Sequence, residues 1–529
     1  MARRKKSDVT FPLNPRGEGV GEGAIIEPRI RDEDTEGEEE SEKIIPEGWD
    51  SQEEFLAYWL KEYTLDYDYD KHNRDEAMED LRFLYVDQWD EETRAEREKE
   101  VRPCISINTL PQFIGQVIGD RRMNRTSIKL IPSNSDKKQE AELRAGIIKG
   151  IEYMSNADRV YDMCCEDQVG CGISNFQIVL EEAKNDVFQQ DIFIRPLDNP
   201  FAVTWDRRSR DPTGRDARHC FVEETMSKED YEAEYGGPLP TGVPTGVEEV
   251  DWQSWVNDDE VKIVALWIMV EKPAKFALMA DGQVEDVTDL DEAEYAYRLH
   301  MEQQPDGTIK TYIREGVRTY AQRWLITGFT ILEGPYELPL SRLPVIKVSG
   351  RVGRVGLKQY RFGLIRWARD PSLMRNYWRS IAVETLAMAP KAVWIADVAS
   401  VKGREDDFRA AHLTGDPLLV YNTGKNKPER VDPPNLPTAV LQEVQMNTQD
   451  IKDVTGLHDA SLGIRSNEVS GKAITARQRE GDVATITYHD NLNASIQEAG
   501  SVINELIPIT HDTTRTVITI GADDEVRHV

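Results

Sequence analysis

Few residues in this 529-residue chain combine reactive chemistry with useful spacing. The five cysteines are Cys104, Cys164, Cys165, Cys171 and Cys220, and three of them share the run CCEDQVGC. Thiolates that close can hold a soft metal, but no second pair follows at zinc-site spacing. Buried, reduced thiols on a helix and the strand after it explain the same run. The eight histidines stand singly and no HExxH occurs, so no metallohydrolase constellation is present. Gly471-Lys472-Ala473 ends like a phosphate loop but lacks the upstream glycine and the hydroxyl residue. With 96 acidic residues, spacing alone cannot nominate a nuclease carboxylate pair. The expectation is therefore no catalytic residue, no metal and no cofactor, hence not an enzyme.

Charge points elsewhere. Lys plus Arg number 65 against 96 acids, a net −31. A protein that grips nucleic acid by neutralising phosphates has the opposite balance, whereas one that lets a nucleic acid pass does not need it. Residues 31–100 hold 27 acids and 9 bases, so much of the excess is local and is read first as a solubility feature. Basic clusters recur at Arg121, Arg122, Arg125 and Lys129, at Arg207–Arg218, and at Arg351–Arg369. Each is equally readable as a solvated face. Two further basic sets stand out: Lys402, Arg404, Arg409, Lys425, Lys427 and Arg430, and then Arg465, Lys472, Arg477 and Arg479. No run of eighteen apolar residues exists, so no membrane helix and no membrane partner are expected. The basic start MARRKKSDVT lacks a following apolar segment, unlike a signal peptide, which gives an expected cytoplasmic origin.

The elements that must position these residues read as an α+β protein of several domains. Residues 1–50 are expected to be a disordered or extended arm. From Ser51, Phe55, Leu56, Trp59, Leu60 and Tyr63 recur at helical spacing, and Ser51 with Glu54 forms a capping box. Further helices are expected over Asp75–Tyr85, Thr109–Arg122 and Lys137–Met154. From Phe176 to Lys347 the runs turn β-branched and aromatic, giving a largely antiparallel sheet. Turns are expected at Asp281-Gly282 and Asp306-Gly307 and a loop over 235–247. Asp370 and Pro371 read as the start of a helix that ends before Pro390, and a second runs from Pro437 to a glycine stop at Gly456. Both are nineteen residues, ~28 Å. They suggest an antiparallel pair with a small subdomain at its far end. A third helix runs from Gly471 to Ile507, with Ser470 as N-cap, a bend at Gly481 and Pro508 as its stop. Before it, Gly456–Ser470 contains no apolar run and reads as a functional or mobile loop.

Three segments, in this order, resemble the portal proteins of short-tailed (podovirus-type) double-stranded DNA phages. RPCISINTLPQFIGQVIGDRRMNRTSIKLIP resembles their arginine-proline entry, helix and strand, ETLAMAPKAVW the end of their first stem helix, and DVTGLHDASLGIRSNEVSGKAITARQREGD their second stem helix through the tunnel loop. The resemblance covers about residues 75–525. It implies a portal fold: an α+β wing over 51–350, a first stem helix region over 351–389, and a clip over 390–436. A second stem helix over 437–456, a tunnel loop and long bent helix over 457–510, and a returning strand over 511–529 complete it. Family members continue into a crown, so a truncated or short crown is expected here. By the same resemblance, a ring of twelve would pass double-stranded DNA without sequence specificity during packaging and ejection. Its other partners would be the large terminase motor, head–tail adaptors, and the major capsid and scaffolding proteins. The ring would sit at the capsid vertex of the virion after assembly in the host cytoplasm. His458, Arg465, Ser466, Asn467, Glu468 and Lys472 become candidate channel residues, against the alternative of pairing between subunits. Lys402, Arg404, Arg409, Lys425, Lys427 and Arg430 become candidate motor and adaptor contacts, against the alternative of exposed loop charge. A head–tail adaptor or tail ring without a packaging role is the competing function.

Overall fold

The structure, a computed structural model, describes residues 48–132, 138–183, 186–235, 255–256, 259–280, 284–288, 290–291, 295–303, 309–388, 393–414, 419–422, 424, 426–431, 438–457, 471–511, 518–520 and 526–528. Its first elements are helical: α1 (Gln52–Tyr85), α2 (Glu91–Lys99), α3 (Leu110–Met123), α4 (Lys138–Ser155) and α5 (Ala157–Gly170). Strands follow: β1 (Ile173–Ala183), β2 (Asp186–Pro196), β3 (Val203–Trp205) and β4 (His219–Ser227), then helix α6 (Lys228–Tyr235). After β5 (Glu260–Leu278) come β6 (Val284–Asp286), β7 (Met301–Gln303), β8 (Ile309–Thr311), β9 (Ile313–Ile326) and β10 (Ile331–Leu338). Three more strands close this stretch: β11 (Val345–Ser349), β12 (Arg351–Val355) and β13 (Lys358–Phe362). The chain then alternates α7 (Ile365–Met388), β14 (Val393–Ile395), α8 (Val398–Val401), α9 (Glu405–Thr414), β15 (Glu429–Val431), α10 (Thr438–Thr455) and α11 (Gly471–Thr510). A terminal pair, β16 (Ile518–Ile520) and β17 (Val526–His528), ends it. All pairings are antiparallel, so the α+β class expected from the sequence holds.

The chain divides into two compact units: Met1–Ala77, Ile118–Gly363 and Ile486–Val529 form one, and Met78–Val117 with Leu364–Thr485 the other. In the first, a sheet ordered β10-β9-β5-β4-β3 carries α1 on one face. The apolar face of α1 (Phe55, Leu56, Trp59, Leu60, Tyr63) buries against Phe221, Val264, Leu266, Trp324 and Ile326. This is the periodicity that marked the helix in the sequence. Ser51 Oγ accepts from Glu54 N at 3.2 Å, while the Glu54 carboxylate accepts from Asp50 N, so the capping box is shifted by one residue on its return side. A second sheet, β11-β1-β2, packs with α4 and α5 and is pinned by the C-terminal half of α11. There Gln168 Nε2 donates to Ser349 O and Tyr488 O, Asn491 Nδ2 to Gly350 O at 2.7 Å, and Ser495 Oγ to Lys347 O at 2.8 Å. Gly172 has φ +85°, and a Cβ there would lie 2.5 Å from the Phe362 carbonyl carbon. A Cβ on Gly363 would fall on the Gly170 carbonyl. Only glycine lets these backbones cross.

In the second unit α7 and α10 pack together, α10 burying Val440, Val444, Ile451 and Thr455. A polar row on α7 holds the extended segment after α2. Ile107 N donates to Asn376 Oδ1 at 3.1 Å, Ile105 N to Ser380 Oγ at 2.9 Å, and Arg97 and Arg102 pair with Glu384. Residues 376, 380 and 384 are one helical turn apart, so one stripe satisfies an edge of backbone that has no strand partner.

Several boundaries differ from expectation. The two helices anticipated before Tyr85 are one, α1. The intervening TLDYDYDKHNRD is held by partners distant in sequence, Asp66 by Arg207 and His219, Asp70 by Arg361. α7 starts before Pro371 rather than at it. Arg366 and Arg369 tie that first turn to Asp80 and Glu79, which offsets the hydrogen bond Pro371 cannot donate. KIVALWIMVE and KFALMA are one strand, β5, running through Pro273. Pro273 pairs with Val317 where β5 has a neighbour on one side only, past the last β4 partner at Ile268 and before β6 begins at Phe276. The missing N–H therefore breaks no ladder. α11 continues through Pro508 to Thr510 and is helical across Gly481. Strands β10, β12 and β13 were not expected. The turns at 281–282 and 306–307 and the loop over 236–247 lie outside the described residues, but β5–β6 and β7–β8 pair as those turns require.

Candidate docking and channel surfaces

The segment between α7 and α10 builds a small module. β14 pairs with β15, matching Trp394 to Arg430 and Ile395 to Glu429. Trp394 meets Phe408 of α9 edge-on, ring centres 5.5 Å apart. Asp397 caps α8 by accepting from Ala399 N, and Asn422 locks the far side, donating from its backbone to Ser400 O at 2.9 Å and from Nδ2 to Lys402 O at 3.2 Å. On this scaffold Lys402, Arg404, Arg409, Lys427 and Arg430 are all exposed, while Lys425 lies outside the described residues. Glu405, Asp406 and Asp407 open α9 beside them, and Arg409 reaches Asp406 only at 4.0 Å in full solvent. An exposed pair at that separation contributes little. The surface is thus mixed in charge around exposed Ile395 and Val398, chemistry suited to a protein partner and unlike a phosphate-binding groove.

Of the candidate channel residues, His458, Arg465, Ser466, Asn467 and Glu468 lie outside the described residues. Lys472 falls in the first turn of α11, its side chain also outside them. What bounds the stretch is described: α10 stops at Gly456, φ +69°, followed by buried Leu457.

The cysteine run resolves as buried thiols. Cys164, Cys165 and Cys171 are buried, and burial pushes Cys164 up to about 12 and Cys165 up to about 11. Cys164 Sγ donates to Asn175 O and Cys171 Sγ to Ile173 O. Such thiols stay protonated, whereas metal ligation needs thiolates. A different cluster, which the sequence did not reveal, joins Glu62 and Asp66 of α1 to His219 of β4. His219 Nε2 shares a 2.7 Å hydrogen bond with Asp66 Oδ2. Arg207 Nη1 lies 2.7 Å from Glu62 Oε2 and 2.8 Å from Asp66 Oδ1. The guanidinium supplies the positive charge that a metal would bring. Glu62 and Asp66 raise the Arg207 affinity for its proton further, so the group is a structural ion network.

The comparison with known families bears on all of these surfaces. Residues 60–529 match the family model described as Phage P22-like portal protein, and the chain belongs to that family. It is a portal vertex subunit for packaging and ejecting the phage genome, located at the capsid vertex of the virion. The family is structural, forms oligomeric rings and works with capsid and packaging partners. No catalytic family is indicated, and an adaptor or tail role is not favoured. No helix among the described residues is long and apolar enough to cross a membrane.

Proposed function

We propose that twelve copies of this chain close into a ring whose channel passes double-stranded DNA without reading its sequence. In this reading residues 51–350 form the outer wing, α7 and α10 the stem, 390–436 the clip, and 458–469 the loop facing the channel. The observation that carries it is in the second unit. α7 and α10 pack together yet leave Met374, Val383, Leu386, Leu441, Met446 and Val454 at 44–60% exposure. Apolar residues on both helices of a packed pair call for a further partner, and identical subunits meeting head to tail supply it in a closed ring. The mixed surface carrying Lys402, Arg404, Arg409, Lys427 and Arg430 would meet the large terminase motor, then a head–tail adaptor. Lys425 joins that set by position in the sequence. Capsid and scaffolding proteins complete the partner set, with assembly in the host cytoplasm. The chain needs no catalytic residue or cofactor for this role, because the motor supplies the work.

His458, Arg465, Ser466, Asn467, Glu468 and Lys472 would line the constriction, where a few cations meet passing phosphates without the drag of a basic wall. Images of purified particles down their axis, with native mass measurement, test the reading. Twelve subunits around a hole wide enough for a duplex are expected; a particle without a hole, or a monomer at micromolar concentration, refutes it.

A further inference from the structure

The β12–β13 hairpin carries Arg351, Arg354, Lys358 and Arg361 and contains no acidic residue between Arg351 and Phe362. Arg361 is buried and paired with Asp70. Two others meet neutral groups: Arg354 Nη2 donates to Arg210 O at 3.4 Å, and the Lys358 ammonium sits 5.7 Å from the centre of the Tyr360 ring. Arg210 in turn donates Nη1 to the Tyr69 hydroxyl at 3.0 Å. Among the described residues no side chain of Arg208, Arg210, Arg351, Arg354 or Lys358 forms an ion pair, although the backbone N–H groups of Arg208 and Arg210 donate to Asp206 and Asp216. Cations alone would make a solvated face. Here they flank an apolar tip, Val355 70% and Leu357 84% exposed, on a hairpin held firmly beneath. The Tyr69 hydroxyl donates to Leu357 O, and Gln359 Nε2 to Arg210 O at 2.7 Å. A basic hairpin with an uncovered apolar tip is a docking surface for an acidic segment with apolar residues beside it.

We infer that the occupant is the acidic run Asp32–Glu42 of the same chain, docked in cis with Ile30 and Ile25-Ile26 alongside the tip. The run holds eight acids and no base in eleven residues. Length fits as well as charge. Tyr69, which touches the hairpin, is seventeen residues along α1 from Gln52, or about 26 Å. From Gly48 back to Glu42 is six residues, a reach of about 20 Å, and back to Asp32 sixteen, about 53 Å. The acidic run brackets the required distance. Tethering raises its local concentration to roughly the millimolar range, above what a free segment attains. Exposed charges lose their attraction beyond a Debye length of about 8 Å at physiological salt, so the docking is salt-sensitive.

Hydrogen exchange of the hairpin amides tests this, comparing the full chain with a chain lacking residues 1–43. At about 0.05 M salt the shorter chain is expected to exchange at least ~3-fold faster at residues 353–359, and the difference to vanish near 0.5 M. A synthetic peptide of residues 24–43 added to the shorter chain restores the protection, and Arg354→Glu with Lys358→Glu in the full chain abolishes it. Glu39→Cys with Leu357→Cys in dilute full-length protein is expected to form a disulfide within one chain. Equal exchange in the two chains at low salt overturns the proposal, as do disulfides formed only between chains. So does protection of the hairpin by duplex DNA that the peptide fails to displace.

Discussion

Replacing Leu441 and Met446 together by lysine should dissolve the ring and leave the subunit folded. Both lie on α10, 48% and 59% exposed, on either side of the stripe Val440, Val444 and Ile451 that packs inward. Full burial of such a side chain contributes about 1.5–3 kcal/mol. Covering the half still exposed therefore contributes roughly 1 kcal/mol or slightly more from each residue, so ~2–3 kcal/mol per subunit contact. Two lysines forfeit that term and add the cost of ammonium groups held against an apolar surface, at least ~2 kcal/mol more. A loss of ~4 kcal/mol weakens each contact about a thousandfold. Lysine is a good helix former, and exposed substitutions usually change subunit stability by less than about 0.5 kcal/mol. Sedimentation velocity across micromolar concentrations, with circular dichroism and Tm on the same samples, should find folded monomers where the parent forms rings. The alanine pair should fall between. Rings forming at unchanged concentration would show that these flanks of α10 do not lie between subunits.

Burial, and next the neighbouring Arg361, lower Lys347 from its usual 10.5 to about 7, against the opposing pull of Asp70, Asp216 and Asp211. The unfolded chain binds that proton more tightly, so the contribution of Lys347 to stability should rise as pH climbs from about 7 to about 10.5 and be flat and lowest below, a span of roughly 4–5 kcal/mol. Lys347→Met should gain most over the parent in Tm near pH 7 and lose that gain by about pH 10; parallel curves would refute the account. Gly172→Ala should cost over ~3 kcal/mol, because φ is +85° and the new methyl meets the Phe362 backbone, whereas Gly356→Ala, at φ +61° with nothing within 4 Å, should cost only about 1 kcal/mol. Equal Tm losses would contradict the crossing described. Arg465→Glu should leave rings intact but slow packaging, since it adds a like charge where phosphates pass; packaging at the parental rate would remove that residue from the channel.

What the sequence disclosed and what it withheld follow from where each element finds its partners. Thr109–Arg122 and Pro437–Thr455 were legible almost to the residue because their apolar spacing and end signals are local. The middle of α1 was not, because Asp66 and Asp70 are poor helix residues until Arg207, His219 and Arg361 arrive from strands and loops far along the chain. Pro273 misled for a related reason: whether a strand tolerates proline depends on which of its edges lacks a neighbour, a property of the sheet. The functional surfaces were harder still. Leu441 and Val444 contribute equally to the helical periodicity of α10, yet one is 48% exposed and the other buried. Periodicity reports that a residue avoids water, not whether the surface covering it belongs to the same chain. A ring subunit divides its apolar residues between those two destinations. The order of three separated motifs points to a ring-forming family, and exposure then nominates the residues proposed to face a neighbour, Leu441 among them.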